Sequence, residues 1–313
     1  MRDPCFAMLY GELKAGKTAD ALATFPAAIY VAAPGALSPA EGLWGFSQPE
    51  AHDLETFADV QRCGETCRGA PALVIDDASL IADRTVNYYK ARYSGFDLWG
   101  SVFTSAIKMR DSLRRRGMHV VMTCHPAPAE TKDGVRHKGG PAFPGQVRAK
   151  LPAAADLLLR AESIGGGPAN GAPGPAGATG ASLIITSGPP SLGWPMCYRT
   201  ARHPDWLQGS RYHTPDRSPM NLREILRAAG FPVPRLPGLE WQDALADAIA
   251  GQLATVGLAD GAKVRGVLAQ ARDYALTKLS REPRHVYWAL RDGYDRALLR
   301  AACSVQQSEL WKL

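Results

Sequence analysis

The segment that constrains this chain most is Gly11-Glu12-Leu13-Lys14-Ala15-Gly16-Lys17-Thr18. An apolar run, Phe6-Ala-Met-Leu-Tyr10, leads into it as a buried strand would, and a helix-compatible stretch from Lys17 to about Thr24 leads out and stops before Pro26. This is the phosphate-loop pattern G-x-x-x-x-G-K-[ST], with strand and helix in the places the pattern requires. Its glycines let the backbone turn so tightly that successive N–H groups converge on one anion, and the following helix adds the positive end of its dipole. In this pattern Lys17 reaches the β and γ phosphates and Thr18 offers a hydroxyl to Mg²⁺. All eight residues, Gly11 to Thr18, are therefore the expected contacts of a nucleotide, with ATP and Mg²⁺ as the expected cofactors.

A strand feeding a helix in this way belongs in an α/β protein, and the text that follows agrees. Ala28–Ala33, Ala72–Ile75 and His119–Cys124 are further buried strands, and Val102–Arg116 is an amphipathic helix with a basic last turn stopped by Gly117. A short helix is expected near 50–60. Strands alternating with helices predict a mostly parallel sheet covered on both faces. Leu73-Val-Ile-Asp76-Asp77 ends a strand expected beside the loop strand, so Asp76 is placed to hold Mg²⁺ through water, while Asp77 can cap the helix that begins near Ala78.

Beyond Pro126 the pattern changes. Residues 126–152 lack apolar periodicity and read as a long loop, and 154–162 and 181–187 read as strands joined by the Gly/Pro-rich tip 165–180. Met196–Arg202 is a further strand and Pro219–Ala229 a short helix. Phe231–Pro237 is a stiff proline linker, and three helices are expected near 241–257, 260–280 and 283–303. The division falls at 235–240, giving a domain 1–235 and a small all-α domain 241–313. With 313 residues, 46% hydrophobic and 21% charged, the chain is large enough to bury a core without staples. Six scattered cysteines do not make a secreted disulfide framework, no run approaches the length of a membrane span, and the start of the chain does not read as a signal peptide. The expected setting is the cytoplasm. The net charge of +6 permits an anionic partner without requiring one.

Taken together, the early phosphate loop, LVIDD, the strand HVVMTCH and the closing Pro219-Met-Asn-Leu-Arg-Glu-Ile-Leu226 make residues 5 to about 229 resemble the RecA-like core ATPases, especially the compact bacteriophage type implicated in single-strand annealing and recombination. The resemblance does not extend to the C-terminal helices. It implies a RecA-like P-loop NTPase core and an ATPase acting on single-stranded DNA in phage recombination or replication, in the host cytoplasm. It also implies a homo-oligomer with ATP at subunit interfaces. The fourth strand of such proteins ends in a polar sensor, here Thr123, Cys124 or His125, and a mobile DNA-binding loop follows, here 126–152. Lys132, Arg136, Lys138, Arg148 and Lys150 of that loop, against Glu130 and Asp133, are the cations that can meet phosphates, and only Phe143 is available there to stack on a base. Arg211, ahead of Arg199 and Arg202, is the candidate for the basic residue inserted into a neighbour's site. The C-terminal helices are a possible docking module for other phage proteins.

One departure stands out. The resemblance places a water-activating carboxylate at the end of the second strand, where this chain has Val31-Ala-Ala-Pro34-Gly35. Asp77 or Glu41 can substitute, so Lys17, Asp77 and His125 are the catalytic candidates. Without a substitute, the chain is a nucleotide-binding assembly protein that does not turn over; a small-molecule kinase on the same loop is a further alternative. Three other features read more plainly. Tyr88, Tyr89, Lys90, Arg92 and Tyr93 interleave aromatics and cations but have helix-packing spacing. Cys63 and Cys67, with His52, lack the second ligand pair of a zinc site. Cys124 and His125 are strand neighbours whose side chains point to opposite faces, so they are not a nucleophile and base.

Overall fold

The computed structural model describes residues 2–13, 15–37, 50–132, 134–163, 196–200, 203–212, 214–215, 217–233 and 238–310. They form two compact units. The first comprises residues 1–161, 199–212 and 230–234, and the second 162–198, 213–229 and 235–313. The expected linker residues 234–237 and the expected strand 181–187 with its tip lie outside the described set.

The first unit is α/β with a mostly parallel sheet. Its strands are β1 (Phe6–Gly11), β2 (Ile29–Ala32), β3 (Ala51–His52), β4 (Ala72–Asp76), β5 (His119–Cys124) and β10 (Leu157–Ser163), in the order β10-β1-β5-β4-β2-β3. Every pairing along this order is parallel; β12 (Gly209–Ser210) adds to β10 antiparallel. The acidic strand β4 is therefore not beside β1, as the sequence reading had it: β5 lies between them. Register brings the carboxyl ends together, with Leu9 opposite Thr123, Gly11 opposite Ala161 and Ala32 opposite Asp76.

The helices of this unit are α1 (Lys17–Thr24), α2 (Phe57–Thr66), α3 (Ala78–Lys90), α4 (Gly95–Arg115) and α5 (Val147–Ala153). α2 starts about two turns later than expected, at a capping box in which Thr56 accepts from the Asp59 N–H and Asp59 accepts from the Thr56 N–H. Alternation along the strands separates two cores. Phe6, Met8, Ile29, Val31, Leu73, Ile75, Val120 and Met122 face one way, into a cluster with side chains from α2, α3, α4 and α5. Their alternates Ala7, Leu9, Tyr30, Val74 and Val121 face the other way, where the Tyr30 hydroxyl donates to the Phe25 carbonyl at the end of α1.

The expected structureless loop 126–152 is ordered by short pairings. β6 (Pro126–Ala127) pairs antiparallel with β9 (Gly140–Pro141), enclosing a hairpin of β7 (Glu130–Lys132) and β8 (Val135–His137), and α5 follows. Strands this short leave no readable period, which is why the sequence looked like loop.

The second unit carries β11 (Met196–Arg199), β13 (Arg217–Pro219), α6 (Leu222–Ala228), α7 (Glu240–Val256), α8 (Gly261–Thr277) and α9 (Pro283–Leu310). The last three match the sequence-expected helices closely. Leu245, Ile249, Leu253, Val264, Leu268, Ala289 and Leu298 form their shared core. Beside it lies a buried polar network. Asn221 caps α6 by accepting from the Glu224 N–H, while its amide donates to Asp292 and Asp295, both at 2.9 Å. Arg296, only 2% exposed, pairs with the equally buried Glu224 at 2.7 Å and 2.9 Å, and with Asp243 and Asp247.

Removing one partner of such a pair strands the other in low dielectric. Arg296→Met is expected to cost about 3–5 kcal/mol in urea unfolding of the full chain, and pairing it with Glu224→Leu should recover most of that loss. Burial pushes Asp292 up to about 6 and Asp295 up to about 7, from 3.8, against the opposing pull of Arg291 and the Asn221 amide. Both carboxyls hold their protons more tightly folded than unfolded. Their contribution is therefore full below the unfolded value and lost as pH rises through 6 to 7. The melting temperature should fall between pH 5 and pH 8, and Asp295→Asn should flatten that dependence.

Candidate functional site

The loop between β1 and α1 uses its two glycines for different reasons. Gly11 has φ 151°, and a Cβ there would stand 2.6 Å from the Ala161 carbonyl of the paired strand. Gly16 has φ 89° and opens α1 in the left-handed region, with no side chain capping the helix. The first-turn N–H groups of α1 thus open toward the loop, as an anion site needs. Lys14 lies outside the described residues. Lys17 is 9% exposed, and its ammonium donates to the Gly11 and Glu12 carbonyls at 2.8 Å and 2.9 Å. Burial holds its pKa below the usual lysine value, with Asp76 pulling the other way.

Next to the loop, one carboxylate joins three elements. Asp76 accepts from the Thr18 hydroxyl of α1 at 2.9 Å through Oδ2, and from the Thr123 hydroxyl of β5 through Oδ1. The inserted strand β5 makes the second bond possible. Of the three sensor candidates, Thr123 is the one bonded to Asp76, and Cys124 is turned into the apolar cluster.

Asp77 and His125 form a second pair. Asp77 caps α3 by accepting from the Ser79 N–H at 2.6 Å, and its other oxygen meets His125 Nε2 at 2.7 Å. Burial raises the Asp77 pKa; the Ser79 N–H and His125 oppose the shift. The backbone N–H of His125 donates to Ser79 Oγ at 3.3 Å. The Asp76–Asp77 peptide is cis. Asp76, Asp77, Ser79, Asp83 and His125 line a cavity of about 400 Å³, together with the apolar Ala33, Ala36 and Leu80. Ser79 was missed in the sequence, although Asp-x-Ser at a strand-to-helix junction is a cap signal. Pro34 is exposed in the turn after β2, and Glu41 lies outside the described residues.

The remaining candidates fall elsewhere. Arg148 points back at the base of the hairpin, pairing with Glu130 at 2.5 Å and donating to the Pro128 carbonyl. Arg136 pairs with Asp205, and Lys138 donates to the His203 carbonyl at 2.9 Å. Arg136 and Lys138 tie the hairpin to residues 203–205, while Arg148 ties it to α5. Lys150 is exposed, and the side chain of Lys132 lies outside the described set. Phe143, the one aromatic expected to stack on a base in this region, is instead buried at 4% exposure. Arg211 donates to the Ala153 carbonyl of its own chain at 2.7 Å; Arg202 is outside the described residues. Tyr89 packs against the core, whereas Tyr88 and Tyr93 are exposed, with Arg92 over the Tyr88 ring. Cys63 and Cys67 are free thiols, and among the described residues no group of three or more His, Cys, Asp or Glu side chains is placed to hold a metal by itself. Among those residues no helix is long and apolar enough to cross a membrane.

Chemically, the arrangement offers an anion cradle, a buried ammonium, and a hydroxyl–carboxylate pair of hard oxygen donors. Such a pair suits a small divalent cation that keeps most of its waters and takes further ligands from phosphate. Cys124 contributes no chemistry, since burial pushes its thiol well above the ordinary value. It should resist a thiol reagent on the folded chain and react once the chain is unfolded in urea; rapid native labelling of Cys124 would contradict the placement. In comparisons with known proteins, no protein-family model and no curated protein matches the chain.

Proposed function

We propose that this chain is a RecA-like, ATP·Mg²⁺-binding ATPase that acts on single-stranded DNA as an oligomer. The observation that carries the reading is the convergence of Lys17, Thr18, Asp76 and Thr123 at the carboxyl edge of a parallel sheet, where ligands of such sheets bind. In this reading the Lys17 ammonium transfers from the Gly11 and Glu12 carbonyls to the β and γ phosphates. The Thr18 hydroxyl and Asp76 hold Mg²⁺, which when bound neutralises charge on the transferred phosphoryl group. Thr123 keeps Asp76 aimed at that position. Single-stranded DNA as the partner rests on the family resemblance; Arg136, Lys138 and Lys150 of the proposed loop are exposed.

The missing carboxylate on β2 has a replacement in this geometry. Asp77 accepts the Nε2 proton of His125, which leaves the lone pair of neutral His125 on Nδ1. Nδ1 can then take a proton from a water standing in the adjoining cavity, while Asp77 stabilises the imidazolium, as a carboxylate does in other His-based sites. A second reading, binding without turnover, is favoured by one observation: β2 runs into Ala33-Pro34-Gly35, with no carboxylate where the resemblance places the water-activating group.

Phosphate release with and without single-stranded DNA separates the readings. The expected result is Mg²⁺-dependent release that rises when single-stranded DNA is added. His125→Gln should lower kcat by about 10²–10⁴-fold while nucleotide affinity stays the same. Tight binding with no release by the wild-type chain selects the second reading, and transfer to a small acceptor overturns both.

A further inference from the structure

The second unit has a charged surface that the phosphate site does not use. α8 buries Val264, Val267, Leu268 and Ala275 against α7 and α9. At about 100° per residue, the opposite crest carries Gly266, Gln270, Asp273 and Thr277, all exposed, and a Cβ added at Gly266 would meet nothing within 4 Å. The crest is therefore low and polar. Arg265 and Arg272 lie along one flank of it, and Lys263 and Lys278 along the other, each of them exposed. Tyr274, 52% exposed, lies on the lysine flank, where its hydroxyl adds a donor.

The charges around α8 are not balanced in the way those of its neighbours are. Two of the three carboxylates of α7 are taken up within the unit: Asp243 by Arg223, Arg227 and Arg296, and Asp247 by Arg296 and Arg300. Among the described residues, the ion pairs of these cations are with Asp260, at 3.3 Å from Lys263, and Asp273, at 3.0 Å from Arg272, exposed pairs of little strength. Tyr274 is the one exposed large apolar side chain among the described residues of this unit, so the face lacks the apolar anchors that a lipid surface or a protein groove demands.

We propose that the outward face of α8 docks in the major groove of duplex nucleic acid, with the low crest toward the bases and the flanking cations on the two phosphate backbones. A helix is admitted by a groove roughly 12 Å wide, and cations on both of its sides match the phosphates that rim both edges. Contacts of this kind position the helix and read little sequence, so binding is salt-sensitive and largely sequence-independent. The assignment stands on α8 alone and does not depend on the nucleotide reading.

Fluorescence anisotropy of a labelled short duplex with the full chain, between about 50 and 200 mM salt, tests it. The variant Lys263→Ala/Arg265→Ala/Arg272→Ala/Lys278→Ala should make the slope of log affinity against log salt shallower by about four, roughly one per phosphate contact. Its affinity near 100 mM salt should drop at least ~100-fold. Gln270→Glu with Thr277→Glu keeps every cation and puts carboxylates on the crest, and should weaken binding about 10-fold. All six positions are exposed, so unchanged melting curves accompany the expected result. Lys17→Ala should leave duplex binding as it is. The proposal is overturned if the wild-type chain ignores duplex at low salt, or if the fourfold variant keeps the wild-type slope and affinity. It is equally overturned if these residues serve single strands in preference to duplex, or phosphatidylserine vesicles and not duplex.

Discussion

Asp76 accepts one hydroxyl from the helix that follows the phosphate loop and another from the strand beside it. Each bond is modest alone, but together they fix α1, β4 and β5 at a single point on the sheet's carboxyl edge. Everything proposed for the site depends on that point. Thr18 can serve a cation only if α1 begins where it does, and α1 begins there because Gly16 adopts a conformation that side chains resist. Gly11 sets the other end, since the backbone of β10 comes too close for any side chain. The loop's composition is thus dictated twice, by the turn it makes and by the strand it passes.

Legibility in the sequence followed the length and regularity of each element. β1, β2, β4 and β5 were visible as apolar runs because a strand buried on both faces has no polar alternate to break it. The three C-terminal helices were visible because each is long enough to repeat its apolar stripe several times. The hairpin within 126–152 was not visible: its strands are two or three residues long, and cross-chain ties from Arg136, Lys138 and Arg148 help hold it, not apolar periodicity. Strand order was hidden for a different reason. Pairing is a long-range property, so nothing in LVIDD could announce that β5 would lie between it and the loop strand.

The site was half readable in the same sense. Lys17, Thr18 and Asp76 belong to local patterns whose chemistry follows from their spacing. The Asp77–His125 contact joins residues 48 positions apart and depends on the ends of β4 and β5 being adjacent, which the sequence does not state. Phe143 shows the reverse error. An aromatic in a polar stretch looked available to a base, but the short helix α5 and the α4 face draw it into the core. In the second unit, no local pattern marks which arginines and carboxylates are buried. Their pairing across α6, α7 and α9 needs the fold to bring them together, and it leaves α8 as the face with exposed cations.

The proposed function stands or falls with Gly11–Thr18, closed on Asp76, as a nucleotide site. Titration calorimetry of ATP, with and without Mg²⁺, into the wild-type chain and into Lys17→Ala tests it most directly. The expected result is binding that Mg²⁺ strengthens and that Lys17→Ala weakens by at least ~10-fold, the scale of a lost charge-assisted contact. Binding that survives Lys17→Ala at full strength would contradict it.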